Sequence, residues 1–255
     1  MPIKNKDMSN LVPKEEFKKR LNEIIEGAII QDKRVIKFKN MLFDSSNYGD
    51  NHPTKPGQMS FEIRSTGETA FQRAILKSEK TLLDFKKKDG FETVHWMDGE
   101  LPIVLNKNSR RHSIDLIGSS DRRPVICELK FAKKRNYDSP VYAALELLTY
   151  YCFIQFNADS LDKNNVYHRN LSPFKWNVIT KNGFPRLIVC ANKSYWDAWF
   201  KKYDKTQLRD QVFEWGMRLD TNINLFQTED IDFKLQKIAG KYTPTMVINS
   251  IWEII

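Results

Sequence analysis

The sequence predicts an α/β fold in which helices and strands form separate layers. Three observations predict it. Stretches with apolar residues at helical spacing alternate with short apolar runs of strand length, in the order helix, strands, helix, strand, helix, strand. One such run, Pro124–Phe131, places Glu128 and Lys130 on one face and only apolar residues on the other. Finally, 41% hydrophobic residues in a chain of 255 supply a core for one large domain or two small ones.

The elements follow in order. Pro13–Ile30 reads as an amphipathic helix, because Phe17, Leu21, Ile24, Ile25 and Ala28 recur on one side with Lys and Glu opposite. A short strand over Val35–Phe38 and a polar loop over Asp44–Ser60 follow. Ser65-Thr66-Gly67-Glu68 has capping-box spacing, and the apolar stripe Phe71, Ile75, Leu82 and Phe85 predicts a helix to about Lys88, ended by Gly90. Phe91–Met97 and Leu101–Leu105 read as two strands joined by a tight turn at Asp98-Gly99-Glu100. Arg111–Ile117 and Pro124–Phe131 read as neighbouring strands with a turn over Gly118–Arg123. Ser139-Pro140 pairs an N-cap with a first-turn proline for a helix to about Phe156. Residues 157–184 are Asn-rich and read as an irregular insertion, after which Arg186–Ala191 is a short buried strand. Ser194–Leu219 is an aromatic-rich helix with a break near Asp204, and Asn222–Gln227 and Met246–Ile254 contain strand-like stretches. The expected division is an N-terminal helical extension and loop over 1–60 and a main domain over 61–255.

Forty-one Lys and Arg against 32 Asp and Glu give a net charge of +9, which points to an anionic partner, nucleic acid first and a membrane surface second. Three cysteines in apolar stretches, Cys127, Cys152 and Cys190, are expected as reduced buried thiols. The charged N-terminus lacks the apolar segment of a signal peptide, and no run approaches the ~20 residues that span a bilayer. The expected setting is therefore cytoplasmic, without a membrane partner. P-loop, dinucleotide-binding, zinc-protease, Cys-x-x-Cys and G-x-S-x-G patterns are all missing. Four scattered histidines do not make a zinc site.

One constellation carries chemistry. Glu128 and Lys130 lie on the same strand face, and Asp115 on the adjacent strand brings a second carboxylate beside Glu128. Carboxylates and an ammonium at the end of a buried sheet are costly unless compensated. A divalent cation compensates them: Mg²⁺ takes one or two carboxylates plus water and substrate phosphate. A nearby lysine then serves the attacking water or the charge on phosphorus.

Asp115, twelve further residues and then Glu128-Leu129-Lys130 resemble the PD-(D/E)xK nuclease superfamily, which includes many restriction endonucleases, resolvases and RecB-like exonucleases. The resemblance spans about Gly67 to Ala191. It implies a restriction-endonuclease-like core, a central mixed β-sheet flanked by helices. It also implies Mg²⁺ or Mn²⁺ held by Asp115 and Glu128, with Lys130 as the catalytic lysine. Residue 114 is Ile where the motif's name has Pro. Glu68 occupies the place of a glutamate that many members carry on the preceding helix, and so joins the catalytic and metal-binding set. Glu146-x-x-x-Tyr150 resembles the Gln-x-x-x-Tyr of RecB-like members, with Glu in place of Gln.

Each feature also has a plainer reading. Glu128 and Lys130 also read as a solvent-facing ion pair, Glu68 as a capping residue, Glu146 as a surface or partly buried helix residue, and Tyr142 and Tyr150 as packing residues with a hydroxyl at the rim. His112 alternates away from Asp115. From Leu101 to Pro140 nine basic residues meet four acidic ones, and Arg110, Arg111, Arg122, Arg123, Lys133, Lys134 and Arg135 flank the motif as candidate phosphate contacts. The same run reads as a solvated face. The aromatics Tyr195, Trp196, Trp199, Phe200, Phe213 and Trp215 read as core before base-stacking. The leading expectation is a metal-dependent nuclease acting on nucleic acid, DNA before RNA, with a homodimer left open. The alternatives are a non-catalytic nucleic-acid-binding module and an interaction or scaffold protein.

Overall fold

The computed structural model describes residues 14–29, 67–78, 80–86, 90–103, 112–121, 123–132, 138–163, 185–229, 234–238, 241–245 and 251–255. In the first half these form α1 (Lys14–Glu26), α2 (Glu68–Ser78), β1 (Lys80–Asp84), β2 (Phe91–Ile103), β3 (His112–Ser120) and β4 (Arg123–Lys130). Next come α3 (Pro140–Lys163), β5 (Arg186–Asn192), α4 (Lys193–Phe200), α5 (Lys205–Arg218) and β6 (Ile223–Thr228). The C-terminal part holds β7 (Lys234–Ile238), β8 (Lys241–Thr245) and β9 (Ile251–Ile254).

Several elements form as their sequence dictates. The α1 stripe Phe17, Leu21, Ile24 and Ile25 is buried, with Phe17 edge-on to Phe156 of α3 at 5.5 Å. The Ser139 hydroxyl accepts the Tyr142 amide at the start of α3. The break at Asp204 is a new N-cap: its carboxylate accepts the Gln207 amide and starts α5. All three cysteines are buried and free.

Other elements depart from expectation. The helix foreseen to Lys88 stops at Ser78, whose hydroxyl bonds the Ile75 carbonyl, and Lys80–Asp84 becomes β1. That segment has two strand partners, antiparallel β2 and parallel β9, and those pairings override its helical spacing. Asp98-Gly99-Glu100 does not turn the chain. It lies within the long strand β2, where a register shift between Trp96 and Asp98 marks a bulge. The loop foreseen over Gly118–Arg123 contracts to a two-residue turn, because Ser120 pairs with Arg123 and Asp121 takes a positive φ of 45°. Helix α3 runs on past Phe156 to Lys163, so part of the expected insertion is helical, and the Asn157 side-chain amide donates to the Phe153 carbonyl. The β7–β8 hairpin was not foreseen. Val35–Phe38, Asp44–Ser60, Ser65 and residues 164–184 lie outside the described residues.

The expected architecture, an open restriction-endonuclease-like sheet flanked by helices, is corrected. Seven strands close into a mixed barrel in the order β1-β2-β3-β4-β5-β6-β9. β1 to β4 pair antiparallel, and β4, β5 and β6 run parallel. The short C-terminal strand bridges what would otherwise be two open edges, pairing with β1 through Leu83↔Trp252 and with β6 through Phe226↔Ile254. With Lys80–Asp84 read as helix, the sequence supplies no β1 for β9 to pair with, so closure does not follow from it.

Strand alternation sorts the apolar residues into two cores. One joins Phe71 and Ile75 of α2 to Leu83, Val94, Leu116, Val125, Cys127, Leu129, Phe226 and Trp252. The other packs Ile126, Leu187, Val189 and Leu225 against α1, α3, α4 and α5, with Tyr195, Trp196 and Trp215 inside it. Trp252 is fully buried against Trp96, so Trp252→Ala should cost about 3–5 kcal/mol in a urea titration. A cost under 1 kcal/mol would mean that β9 does not close the barrel. No helix among the described residues is long and apolar enough to cross a membrane.

Candidate active site

The site begins where two strands part. β3 and β4 pair from Ser120↔Arg123 as far as Leu116↔Cys127. Beyond that rung the ladder hydrogen bonds stop, and buried backbone groups need other partners. Side chains supply them. The Asp115 carboxylate reaches across the fork and accepts the Leu129 amide at 2.7 Å. Glu68, at the start of α2, accepts the Phe131 amide at 3.1 Å, and its expected capping partner Ser65 lies outside the described residues. One turn later Gln72 donates its amide to the Asp115 carbonyl at 2.5 Å. On the far side β4 stays paired with β5 to Lys130↔Ala191, and the Asn192 side chain adds one more rung. It accepts the Ala132 amide at 2.8 Å and donates to the Ala132 carbonyl at 3.0 Å.

Within this frame Lys130 is the hub. Its ammonium donates to Glu128 at 2.5 Å and stands 3.5 Å from Glu146 on α3. The Tyr150 hydroxyl, one helical turn further on, donates to the other Glu146 oxygen at 2.7 Å. Glu128 is 3% exposed, Lys130 5% and Glu146 8%. The readings of Glu128–Lys130 as a solvent-facing pair and of Glu146 as a surface residue are therefore set aside.

The electrostatics are unbalanced. Four carboxylates, Glu128, Glu146, Glu68 and Asp115, act on a single ammonium. Burial alone would lower the Lys130 pKa, but these carboxylates, Glu128 foremost, hold it well above the ordinary lysine value. Burial pushes the Asp115 carboxyl up to about 8, with Glu68 adding to the rise and Lys130 and the Leu129 amide opposing it. Burial raises Glu68 as well. Glu128 goes well above the carboxylate range, first by burial and then by the Asp115 charge, despite its bond to Lys130. The lysine is thus held in its charged form, and Asp115, Glu68 and Glu128 each bind a proton more tightly than a free carboxyl does.

Such a set fits a divalent cation. The second Glu128 oxygen, Oε2, is buried and has no hydrogen-bond partner among the described residues. A carboxylate oxygen without a partner in a cluster rich in carboxylates is what a cation would satisfy, and carboxylate oxygen is the donor Mg²⁺ prefers. Among the described residues no group of three or more His, Cys, Asp and Glu is gathered in metal-holding geometry. Asp115 and Glu128 would therefore hold a cation with water or substrate oxygen, with Glu68 in reserve.

The structure thus brings together Asp115, Glu128, Lys130 and Glu68 and adds Glu146 and Tyr150. Tyr142 is half-buried against the outer core. Arg123 is not part of the group. It begins β4, seven residues and roughly 23 Å from Lys130 at ~3.3 Å per residue, beside Arg186 and Glu92. Arg110, Arg111, Arg122, Lys133, Lys134 and Arg135 lie outside the described residues, as does the His112 side chain. Sequence reasoning missed Gln72 and Asn192. For Gln72 a signal existed: a polar residue four after Glu68, hence on the same helical face. For Asn192 there was none, because its role depends on where β4 and β5 end.

Comparison of the chain with protein-family models, curated proteins and solved structures finds no match.

Proposed function

We propose that the protein is a Mg²⁺- or Mn²⁺-dependent nuclease that hydrolyses phosphodiester bonds of nucleic acid, DNA before RNA, in a cytoplasmic setting. The observation that carries this reading is the surplus of carboxylates around one lysine, Glu128 and Glu146 buried and Asp115 and Glu68 half-buried, with Glu128 Oε2 lacking a hydrogen-bond partner among the described residues. A purely structural cluster would balance its charges, since unbalanced buried charge is destabilising. The Asp…Glu-x-Lys spacing and the net charge of +9 point the same way.

Asp115 and Glu128 hold the cation in this reading, and the cation supplies Lewis-acid polarisation of the scissile phosphate. Lys130, fully protonated and fixed between Glu128 and Glu146, stabilises negative charge developing on phosphorus and does not act as a base. Tyr150 and Glu146 fix the lysine from behind.

Incubating the protein with linear, circular and single-stranded DNA and with RNA tests the reading. Cleavage is expected with Mg²⁺ or Mn²⁺ and is expected to stop in chelator. Glu128→Ala should lose both cleavage, by about 10²–10³-fold, and calorimetric Mn²⁺ affinity. Lys130→Ala should lose cleavage but bind Mn²⁺ as well as before or more tightly. No cleavage of any substrate by the wild type would overturn the proposal. Equal loss of Mn²⁺ binding in the two variants would overturn the assignment of roles.

A further inference from the structure

The fork that holds the carboxylates is an opened ladder, and its backbone needs bracing. Past Leu116↔Cys127 β3 and β4 no longer pair, although β3 stays paired with β2 on both sides of Asp115, and past Lys130↔Ala191 β4 and β5 no longer pair, which leaves Ala132 beyond the ladder. One neutral amide side chain serves each of these two places: Gln72 the Asp115 carbonyl, Asn192 the amide and carbonyl of Ala132. Both side chains are buried, Gln72 3% and Asn192 2% exposed. Gly99 completes the arrangement. A Cβ there would stand 2.7 Å from the Asp115 carbonyl oxygen and 3.5 Å from Gln72 Nε2, so only glycine leaves room for that contact.

We infer that Gln72 and Asn192 are positioning residues: Gln72 fixes the backbone that carries Asp115, and Asn192 fixes the segment directly after Lys130. Two features separate them from ordinary core polar groups. Each bonds backbone within two residues of a carboxylate or the lysine of the cluster. Each is also an amide, which holds its partner without adding charge to a site already rich in it. An aspartate or glutamate in either place would bring a fifth carboxylate to the cluster. The role assigned to Asp115 rests on the nuclease reading, whereas the bracing itself does not.

The test uses the full chain and needs no turnover. In chelator, amide hydrogen exchange is followed at Leu129, Ala132 and, as a reference inside the barrel, Ile188. Gln72→Met is expected to speed exchange at Leu129 about tenfold, because the Asp115 carboxylate that holds that amide is no longer fixed. Asn192→Ala should do the same at Ala132, and Ile188 should be unmoved in both. Calorimetric Mn²⁺ affinity should fall about tenfold in Gln72→Met, in line with the loss of a group that orients a metal ligand. Unchanged exchange at Leu129 and Ala132, or equal acceleration at Ile188, overturns the assignment. Wild-type protein that binds no Mn²⁺ sinks the metal-site reading instead, and the exchange data alone then decide the bracing.

Discussion

Lys130→Met is expected to destabilise the fold by about 3–5 kcal/mol at pH 8 in chelator, the usual cost of removing one partner of a buried ion pair. The methionine fills the same space, so the loss reports charge. Glu128 and Glu146 are then left buried with no cation between them. The deficit should depend on pH. Lys130 has a folded-state pKa raised above its unfolded value, so its own contribution is fully present below about pH 10.5 and is lost only above that. The carboxyls behave oppositely. Groups such as Asp115, raised from 3.8 to about 8, bind their protons more tightly in the folded state, so stability falls as pH rises between those values. Without the lysine they rise further, and the variant should lose most at pH 8 and recover towards pH 4. Urea titrations at the two pH values decide it. A pH-independent loss below 1 kcal/mol would mean an ordinary surface pair.

Asp115→Asn is expected to move stability and activity in opposite directions. The asparagine oxygen can still accept the Leu129 amide, so the brace across the fork survives. What disappears is one of four competing carboxylates. The sign follows from linkage: a carboxyl whose folded pKa is raised costs stability once pH exceeds its unfolded value of 3.8, and the cost is complete above about 8. Removing it should therefore raise stability at pH 8 by more than ~1.4 kcal/mol, the worth of a single pKa unit, and should change nothing near pH 3. Metal-dependent cleavage should fall by about 10²–10³-fold. Stability given up for function in this way is a mark of a working site. A variant that is less stable at pH 8, or one that still cleaves, would remove Asp115 from the site.

Sequence and structure agree most where a residue's role is local. The stripe of α1, the Ser139 and Asp204 caps and the alternation that sets Glu128 and Lys130 apart from Val125, Cys127 and Leu129 all follow from one element's own periodicity. The closeness of Asp115 to Glu128 was legible too, because neighbouring strands joined by a short turn must lie side by side. Glu68 was harder. Its spacing from Ser65 points to a cap, yet its carboxylate crosses to Phe131, 63 residues away.

What the sequence determined by itself is thus the chemistry: two carboxylates and a lysine on adjacent strands, a third carboxylate on the preceding helix, and a buried opposite face. Tertiary structure decided everything that depends on partners distant along the chain. Lys80–Asp84 is a strand because β2 and β9 flank it, and the barrel closes because β9 reaches both β1 and β6. Glu146 joins Lys130 because α3 crosses the outer face of β4. Gln72 matters because α2 lies over β3 at Asp115, and Asn192 because the β4–β5 ladder stops at Ala191. A hydrogen-bond ladder carries no sequence mark for where it ends, since every residue brings the same backbone groups and only the assembled neighbours show which are left unpaired.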